Sequence, residues 1–349
     1  RPERADYLAL ALLRSDLSVI HDVVVNVPKN GFGKSEDFRL FSLHEQLYLS
    51  SWGHMAPLWI LPNTKKNKDS ITKKDKYIAP EVFPSSLLVV LGKDRKFCSQ
   101  DPMERGRAKN INYFVDANNN TMAEVFPIGP HVVNKLDPGT DTNTQYSEAF
   151  VPDHSFSTLE EIDLPERYDF YGDKIFTSDR GGACCVPFSD PRRNAAGSKD
   201  KGDTLLLGVS HVKTPHGRKK LEDIVHPNLY LSRFYAFEST PPYRTVAMSG
   251  YFCLPANPLK KRRLHHDATN PYADVPLWKE PLSIAGTSYE DCAAIHFVTG
   301  MTEKADDPTK LLIAYGVGDC TSWFIEVDKA AAIGLLFAPP NKVTASLDR

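Results

Sequence analysis

The stretch Lys34–Ser51 (KSEDFRLFSLHEQLYLSS) places an acidic pair, Glu36 and Asp37, just before Arg39. Two short apolar runs, Leu40-Phe41 and Leu47-Tyr48-Leu49, flank the polar segment Ser42–Gln46, a pattern that predicts a β-hairpin. A carboxylate at the mouth of such a hairpin, steadied by an arginine two residues on, is placed to donate a proton. The alternative is that Asp37 and Arg39 simply pair at a strand edge. Other ionisable and aromatic residues fall where strands begin or end: Lys109-Asn110, His131, Arg180, Ser210-His211, Arg233, Tyr235, Tyr315 and Asp319. Gathered in one cleft, these types suit carbohydrate, because carboxylates take hydroxyl protons and rings pack on sugar faces. Cations in the same cleft can hold a phosphate or carboxylate. Taken singly, each also has a structural reading; His131, after Pro130, can cap a strand, and His211 follows a very apolar strand. His216, His226, His265 and His266 lie in loop-like stretches and take no role. No tight His/Asp cluster falls on one element, so neither a metal site nor a cofactor is expected.

The chain has 349 residues, a formal net charge of −2 and 41% hydrophobic residues, the composition of a globular protein with one large domain or two ordinary ones. The balanced charge argues against nucleic acid as the main partner, since tracking phosphates needs a basic excess. The basic clusters Lys65–Lys76 and Lys260–Arg263 lie among Asn, Asp, Ser and Pro and read as solvated loops. No run approaches the about 18 apolar residues of a membrane span. The chain begins at Arg1, as expected of a fragment or processed form that could lack a signal or anchor, so a secretory (Golgi lumen) and a cytoplasmic location both stay open. None of the six cysteines is spaced C-x-x-C, and Cys184, Cys185 and Cys253 border or lie within apolar runs, as buried thiols do. Asn119-Asn120-Thr121 has the pattern of a glycosylation acceptor.

The elements that must position these residues read as follows. Residues 5–14 (ADYLALALLR) are rich in Ala and Leu and predict a short helix, followed by a strand at Val23–Val27. From there the pattern is β. Short apolar runs at Met55–Leu61, Leu87–Leu91, Met122–Phe126, Thr204–Val209, Leu229–Phe237, Ala293–Thr299, Leu311–Tyr315 and Trp323–Val327 alternate with polar, Pro- and Gly-marked turns. Residues 134–170 form a long connection with one short helix expected at Leu159–Ile162. Five β units, 35–61, 87–133, 175–213, 229–254 and 288–327, recur at about 60 residues. The expectation is an all-β fold, a five-bladed β-propeller with a short N-terminal helix and long polar inter-blade loops. Residues 1–30 are the helix and lead-in strand, 31–335 the propeller and 336–349 a tail. A β-sandwich or jelly roll is the structural alternative. In a propeller, equivalent blade positions converge at one end of the axis, which would bring the polar residues above together.

Glu36-Asp37-Phe38-Arg39 resembles the Glu-Asp-Pro-Arg signature of the five-bladed propellers of glycoside hydrolase family 130, the β-mannoside phosphorylases and hydrolases, and of related eukaryotic β-mannosyltransferases. Lys109-Asn110 with Phe114 is similar to their Lys/Arg-Asn-x-x-x-Phe segment, and Arg180-Gly181-Gly182 to the glycine turn entering the third blade. Phe297-Val298-Thr299-Gly300 and Tyr315-Gly316-Val317-Gly318-Asp319 are similar to the final Phe-x-x-Gly and Tyr-Gly-x-x-Asp pair. The motifs keep the family's order over residues 35–327. Phe38 stands where the signature has proline, and Lys109 where arginine is common.

The resemblance implies that Asp37 is the general acid and that Asp319 holds mannose hydroxyls. It also implies that Lys109 and Asn110, helped by Arg180 and His211, line the phosphate or leaving-group region. Glu36, Arg39, His131, Arg233, Tyr235 and Tyr315 complete the expected substrate-binding set. The implied activity is a mannosyltransferase or mannoside phosphorylase working by single displacement on a mannose-containing oligosaccharide or glycan acceptor. Phosphate, a sugar phosphate or a nucleotide sugar would be the co-substrate. Two alternatives stand beside it. One is a non-catalytic propeller that binds glycan or protein. The other is a five-bladed glycoside hydrolase of another family, with a third essential acid at Glu290 or Asp291.

Overall fold

The computed structural model describes residues 8–14, 16–25, 38–51, 54–62, 81–83, 87–91, 95–96, 110–128, 131–136, 143–148, 167–168, 174–175, 180–192, 204–215, 228–249, 252–255, 282–283, 295–318 and 321–337. The chain divides into two compact units: residues 1–125 with 134–145, and residues 126–133 with 146–349.

At the start of the first unit, Leu8–Leu13 (β1) is a strand, paired antiparallel with Val19–Val25 (β2) from Leu8↔Val25 to Leu13↔Val19. The helix expected at residues 5–14 is therefore corrected to a strand over its described part. The reason is tertiary. LALALL alternates with period two, and the valine-rich β2 offers it an antiparallel hydrogen-bond partner along its length, with one irregularity at Leu12/Leu13. A helix this short, without an amphipathic stripe, gains little on its own. The turn between them is closed by Asp16, whose carboxylate accepts from the Ser18 amide (2.9 Å).

β3 (Arg39–Leu43) and β4 (Gln46–Ser51) are the expected hairpin. Its two-residue turn, His44-Glu45, has φ of 48° and 64°, the left-handed pair that matches the twist of the flanking strands. β5 (His54–Pro62), β6 (Glu81–Phe83), β7 (Leu87–Leu91) and β8 (Arg95–Lys96) extend the sheet in the order β3-β4-β5-β7-β6, with β8 beside β5. β9 (Asn112–Val115), β10 (Thr121–Phe126), β11 (His131–Leu136) and β12 (Asn143–Glu148) form a second sheet, β12-β11-β10-β9. Leu43, Met55, Ile111, Tyr113, Ala123 and Leu136 make the core of the first unit, with Phe41 stacked on Tyr113 at 4.8 Å.

In the second unit a short pair, β13 (Arg167–Tyr168) and β14 (Lys174–Ile175), precedes a six-stranded sheet. That sheet comprises β15 (Arg180–Ser189), β16 (Thr204–Pro215), β17 (Asn228–Glu238), β18 (Thr245–Met248), β19 (Phe252–Cys253) and β20 (Leu282–Ser283). Residues 175–213 and 229–254, read from the sequence as separate units, thus share one sheet, because β16 and β17 pair without a break from Leu205↔Glu238 to Pro215↔Asn228. Antiparallel pairing runs through this sheet as far as β19, which pairs in parallel with β20. β21 (His296–Lys304), β22 (Asp307–Val317) and β23 (Thr321–Asp328) form an antiparallel meander. Cys184 and Cys185, read as thiols, are chain neighbours at a bulge of β15.

One helix is described, α1 (Lys329–Phe337), in a stretch read as the run-up to a tail. Asp328 caps it by accepting from the Ala331 amide (2.9 Å). Lys329 Nζ donates to the Pro187 carbonyl (2.9 Å) and pairs with the Glu303 carboxylate, and Arg192 lies 5.1 Å over the Phe337 ring. The helix buries Ala332 and Leu336 in a core built from Leu205, Leu207, Val209, Phe234, Ala236 and residues of β21–β23. The expected helix at Leu159–Ile162 lies outside the described residues.

Candidate functional site

Glu36, Asp37, Lys109 and Asp319, together with the alternative acids Glu290 and Asp291, lie outside the described residues. The remaining candidates fall into one group in each unit.

In the first unit Arg39 begins β3 and is buried. Its Nη1 donates to Asn112 Oδ1 (2.8 Å), and Asn112 Nδ2 donates to Glu124 Oε2 (2.7 Å). Asn112 and Glu124 stand directly opposite each other in the β9–β10 register, which brings amide and carboxylate into contact. Glu124 is only 1% exposed. The result is a buried chain with a guanidinium at one end, a carboxylate at the other and an amide dipole aligned between them. Asn110, just before β9, sits in the left-handed region (φ 70°), a conformation asparagine tolerates better than most residues. Its buried Oδ1 has no hydrogen-bond partner among the described residues.

In the second unit a polar band crosses the large sheet. Arg180 stands opposite His211, Ser210 opposite Arg233, and His211 opposite Ser232. Residues opposite one another in an antiparallel pair share a face. Ser210, Arg233, Gly208 and Tyr235 therefore line one side of the sheet, and His211 and Ser232 the other. The Tyr235 ring lies directly over Gly208: a Cβ there would come within 2.3 Å of Tyr235 Cζ. His131 packs edge-on to Phe237 (4.7 Å) and Tyr235 (6.5 Å), and its Nδ1 donates to the Tyr243 carbonyl (2.7 Å). That bond requires a proton on Nδ1, because a carbonyl oxygen can only accept.

On the other side the His211 ring stacks on Tyr230 (5.8 Å) and meets the edge of Phe297 (5.0 Å). Ser232 Oγ and His296 Nε2 share a hydrogen bond of 3.1 Å, both fully buried. Tyr315, on β22, is buried in the core and donates its hydroxyl to the Pro255 carbonyl (3.1 Å). Burial pushes its pKa up to about 12.

Arg180 and His211 thus share one face of the sheet, Arg233 lies on the other with Ser210 and Tyr235, His131 adjoins Tyr235, and Tyr315 stands apart in the core. A guanidinium and an imidazole on one face can hold an anion or a set of hydroxyls. Asn112, Glu124, Ser232 and His296 are functional candidates that the sequence reading misses. Glu124 and His296 each interrupt an apolar strand (TMAEVF, AAIHFVT), the same signal that draws attention to His211. Among the described residues no group of His, Cys, Asp or Glu is placed to hold a metal ion.

No protein-family model matches the chain, and no curated protein matches it in sequence. Among solved structures it is similar to a glycosyl hydrolase from Bacteroides ovatus, with 12% identity over 87% of this chain and 69% of that one. The TM-score of that likeness is 0.29, too low to carry an argument.

Proposed function

We propose that the chain is a carbohydrate-active enzyme that makes or breaks glycosidic bonds, a mannosyltransferase or mannoside phosphorylase in which Asp37 is the proton donor. Its architecture in this reading is a five-bladed propeller over residues 31–335. The observation that carries the reading is the pair Arg180 and His211: candidates picked from two separate stretches stand opposite each other on one face of the sheet. Such a pair suits the phosphate of a sugar donor or of the attacking co-substrate.

The chemistry is a single displacement at an anomeric carbon. Asp37 protonates the departing oxygen while the nucleophile attacks from the opposite face. Phosphate arrives as an anion and needs no protein base, so one carboxylic acid and a cationic pocket suffice. Asp37 must then stay protonated near neutral pH, which requires an environment that raises its pKa. The buried Glu124–Asn112–Arg39 chain supports this role at a distance, by fixing the guanidinium two residues from the acid.

The test is product analysis with mannose 1-phosphate, GDP-mannose and mannose oligomers, beside Asp37→Asn. Chain extension or phosphorolysis that falls about 100- to 10,000-fold in the variant is the expected result. Turnover indifferent to Asp37→Asn sinks the assignment of the acid. Mannoside binding without turnover on any donor replaces the enzyme with a binding module.

A further inference from the structure

The turn between β9 and β10 contains a triplet that the proposed reaction does not use. Asp116 organises this turn. Its Oδ1 accepts from the amides of Asn118 (2.9 Å) and Asn120 (2.7 Å), and its Oδ2 from Asn120 Nδ2 (3.0 Å). The backbone closes with Asp116 N–H donating to the Asn120 carbonyl and Asn119 N–H to the Asp116 carbonyl, each at 3.0 Å. Asn119 is left at the tip, exposed, in the left-handed region (φ 64°). Its side-chain amide makes no hydrogen bond among the described residues. Asn118 and Asn119 contribute backbone amides to the turn, whereas Asn120 also ties its side chain to the Asp116 carboxylate. It is also the asparagine that begins Asn119-Asn120-Thr121, the Asn-x-Thr acceptor pattern.

We propose that Asn119 is an N-glycosylation site. In the transfer, Asn119 Nδ2 forms a bond to the anomeric carbon of a lipid-linked oligosaccharide. The bond from that carbon to the lipid pyrophosphate breaks, the pyrophosphate leaves with the electron pair, and the amide gives up one proton. The turn keeps its shape when it accepts the glycan, because the hydrogen bonds that hold it run through Asp116, Asn118, Asn120 and backbone. Thr121, the third residue of the triplet, begins β10, where its Oγ1 lies 3.1 Å from His44 Nε2.

The experiment is peptide mapping of the protein purified from its own cells, with and without a glycan-releasing amidase that converts the linked asparagine to aspartate. The expected result is a glycan-bearing peptide spanning Asn119 that, after release, carries aspartate at that position. Expressed in the same cells, Asn119→Gln loses the whole mobility shift, and Asn120→Gln, which keeps an Asn-x-Thr triplet, retains it. An unmodified Asn119 peptide in the native protein overturns the proposal, as does a mobility shift that survives Asn119→Gln.

Discussion

Glu124 sets a carboxyl group in a place where charge is expensive. Burying a carboxylate costs several kcal/mol unless partners compensate it, and removing one end of a buried ionic chain exposes that cost at the other. Here the compensation passes through Asn112 to Arg39. Glu124→Gln keeps the shape but removes the anion from the far end of the chain, so it is expected to destabilise the protein by about 3 kcal/mol, read from urea midpoints. Combining it with Arg39→Met should cost less than the sum of the two single changes, because the second removes the buried cation that the first deprives of this carboxylate. Additive costs would mean that the three side chains do not act as a unit.

Tyr315 makes a prediction of opposite character, in the alkaline range. The residue is 1% exposed, its hydroxyl is held by the Pro255 carbonyl, and its pKa is pushed up to about 12. In the unfolded chain the same group loses its proton near a pH of about 10. The raised folded value contributes stability that is complete below a pH of about 10 and lost as pH rises from there to about 12. Tyr315→Phe should therefore flatten the alkaline loss of stability across that window. Near neutral pH it should cost about 1 kcal/mol through the lost hydrogen bond to the carbonyl. Parallel alkaline curves for the two proteins would contradict this.

At the level of elements, α1 shows what a short terminal helix needs. Nine residues are too few to be stable alone, so the helix relies on its cap, on Lys329 and on the burial of Ala332 and Leu336. The Ala331 amide and Lys310 hold the Asp328 carboxyl below its ordinary pKa. Its stabilisation is present at neutral pH and is lost as pH falls through that depressed value. Asp328→Ala should lower stability by about 1 kcal/mol at neutral pH, whereas Asp328→Asn should keep the cap and lose the acid dependence. Equal loss in both variants would assign the effect to the Lys310 ion pair instead.

The strands of both units are largely legible in the sequence because alternation and turn residues are local signals. Leu87–Leu91 appears as expected, and Asp116–Asn120 forms the expected turn. What escapes depends on distant partners. LALALL has helical composition but finds a valine-rich strand, and KAAAIGLLF becomes a helix where an apolar surface receives it. The merging of residues 175–213 with 229–254 rests on β16–β17 pairing across a long connection that no local pattern announces. The same limit governs the site. Arg180, His211 and Arg233 are legible as polar residues beside apolar runs, but only Arg180 stands at a strand end; His211 and Arg233 lie inside β16 and β17, which run on past the apolar stretches. Glu124 matters only because register places it opposite Asn112, and His296 because it reaches Ser232.

The whole chain carries a net charge of only −2, so no broad field draws anions to it. Any specific anion affinity must come from local groups, and in the second unit these are Arg180 and His211, which share one face of the sheet. This has a measurable consequence for the proposed reaction. Inorganic phosphate should stabilise the protein against thermal unfolding, by about 1.4 kcal/mol at a free concentration roughly ten times its Kd. Surface attraction is screened by salt, while a partly buried site is screened much less, so the effect should persist against a background of potassium chloride. Arg180→Met should abolish it, while duplex DNA, which needs a basic surface, should give no stabilisation in either protein. Saturable stabilisation lost in Arg180→Met ties this pair to phosphate and favours phosphorolysis or a sugar phosphate donor. If phosphate gives no more than the chloride control, it drops out of the reaction, and the pair is left to bind sugar hydroxyls or the carboxylate of an acceptor.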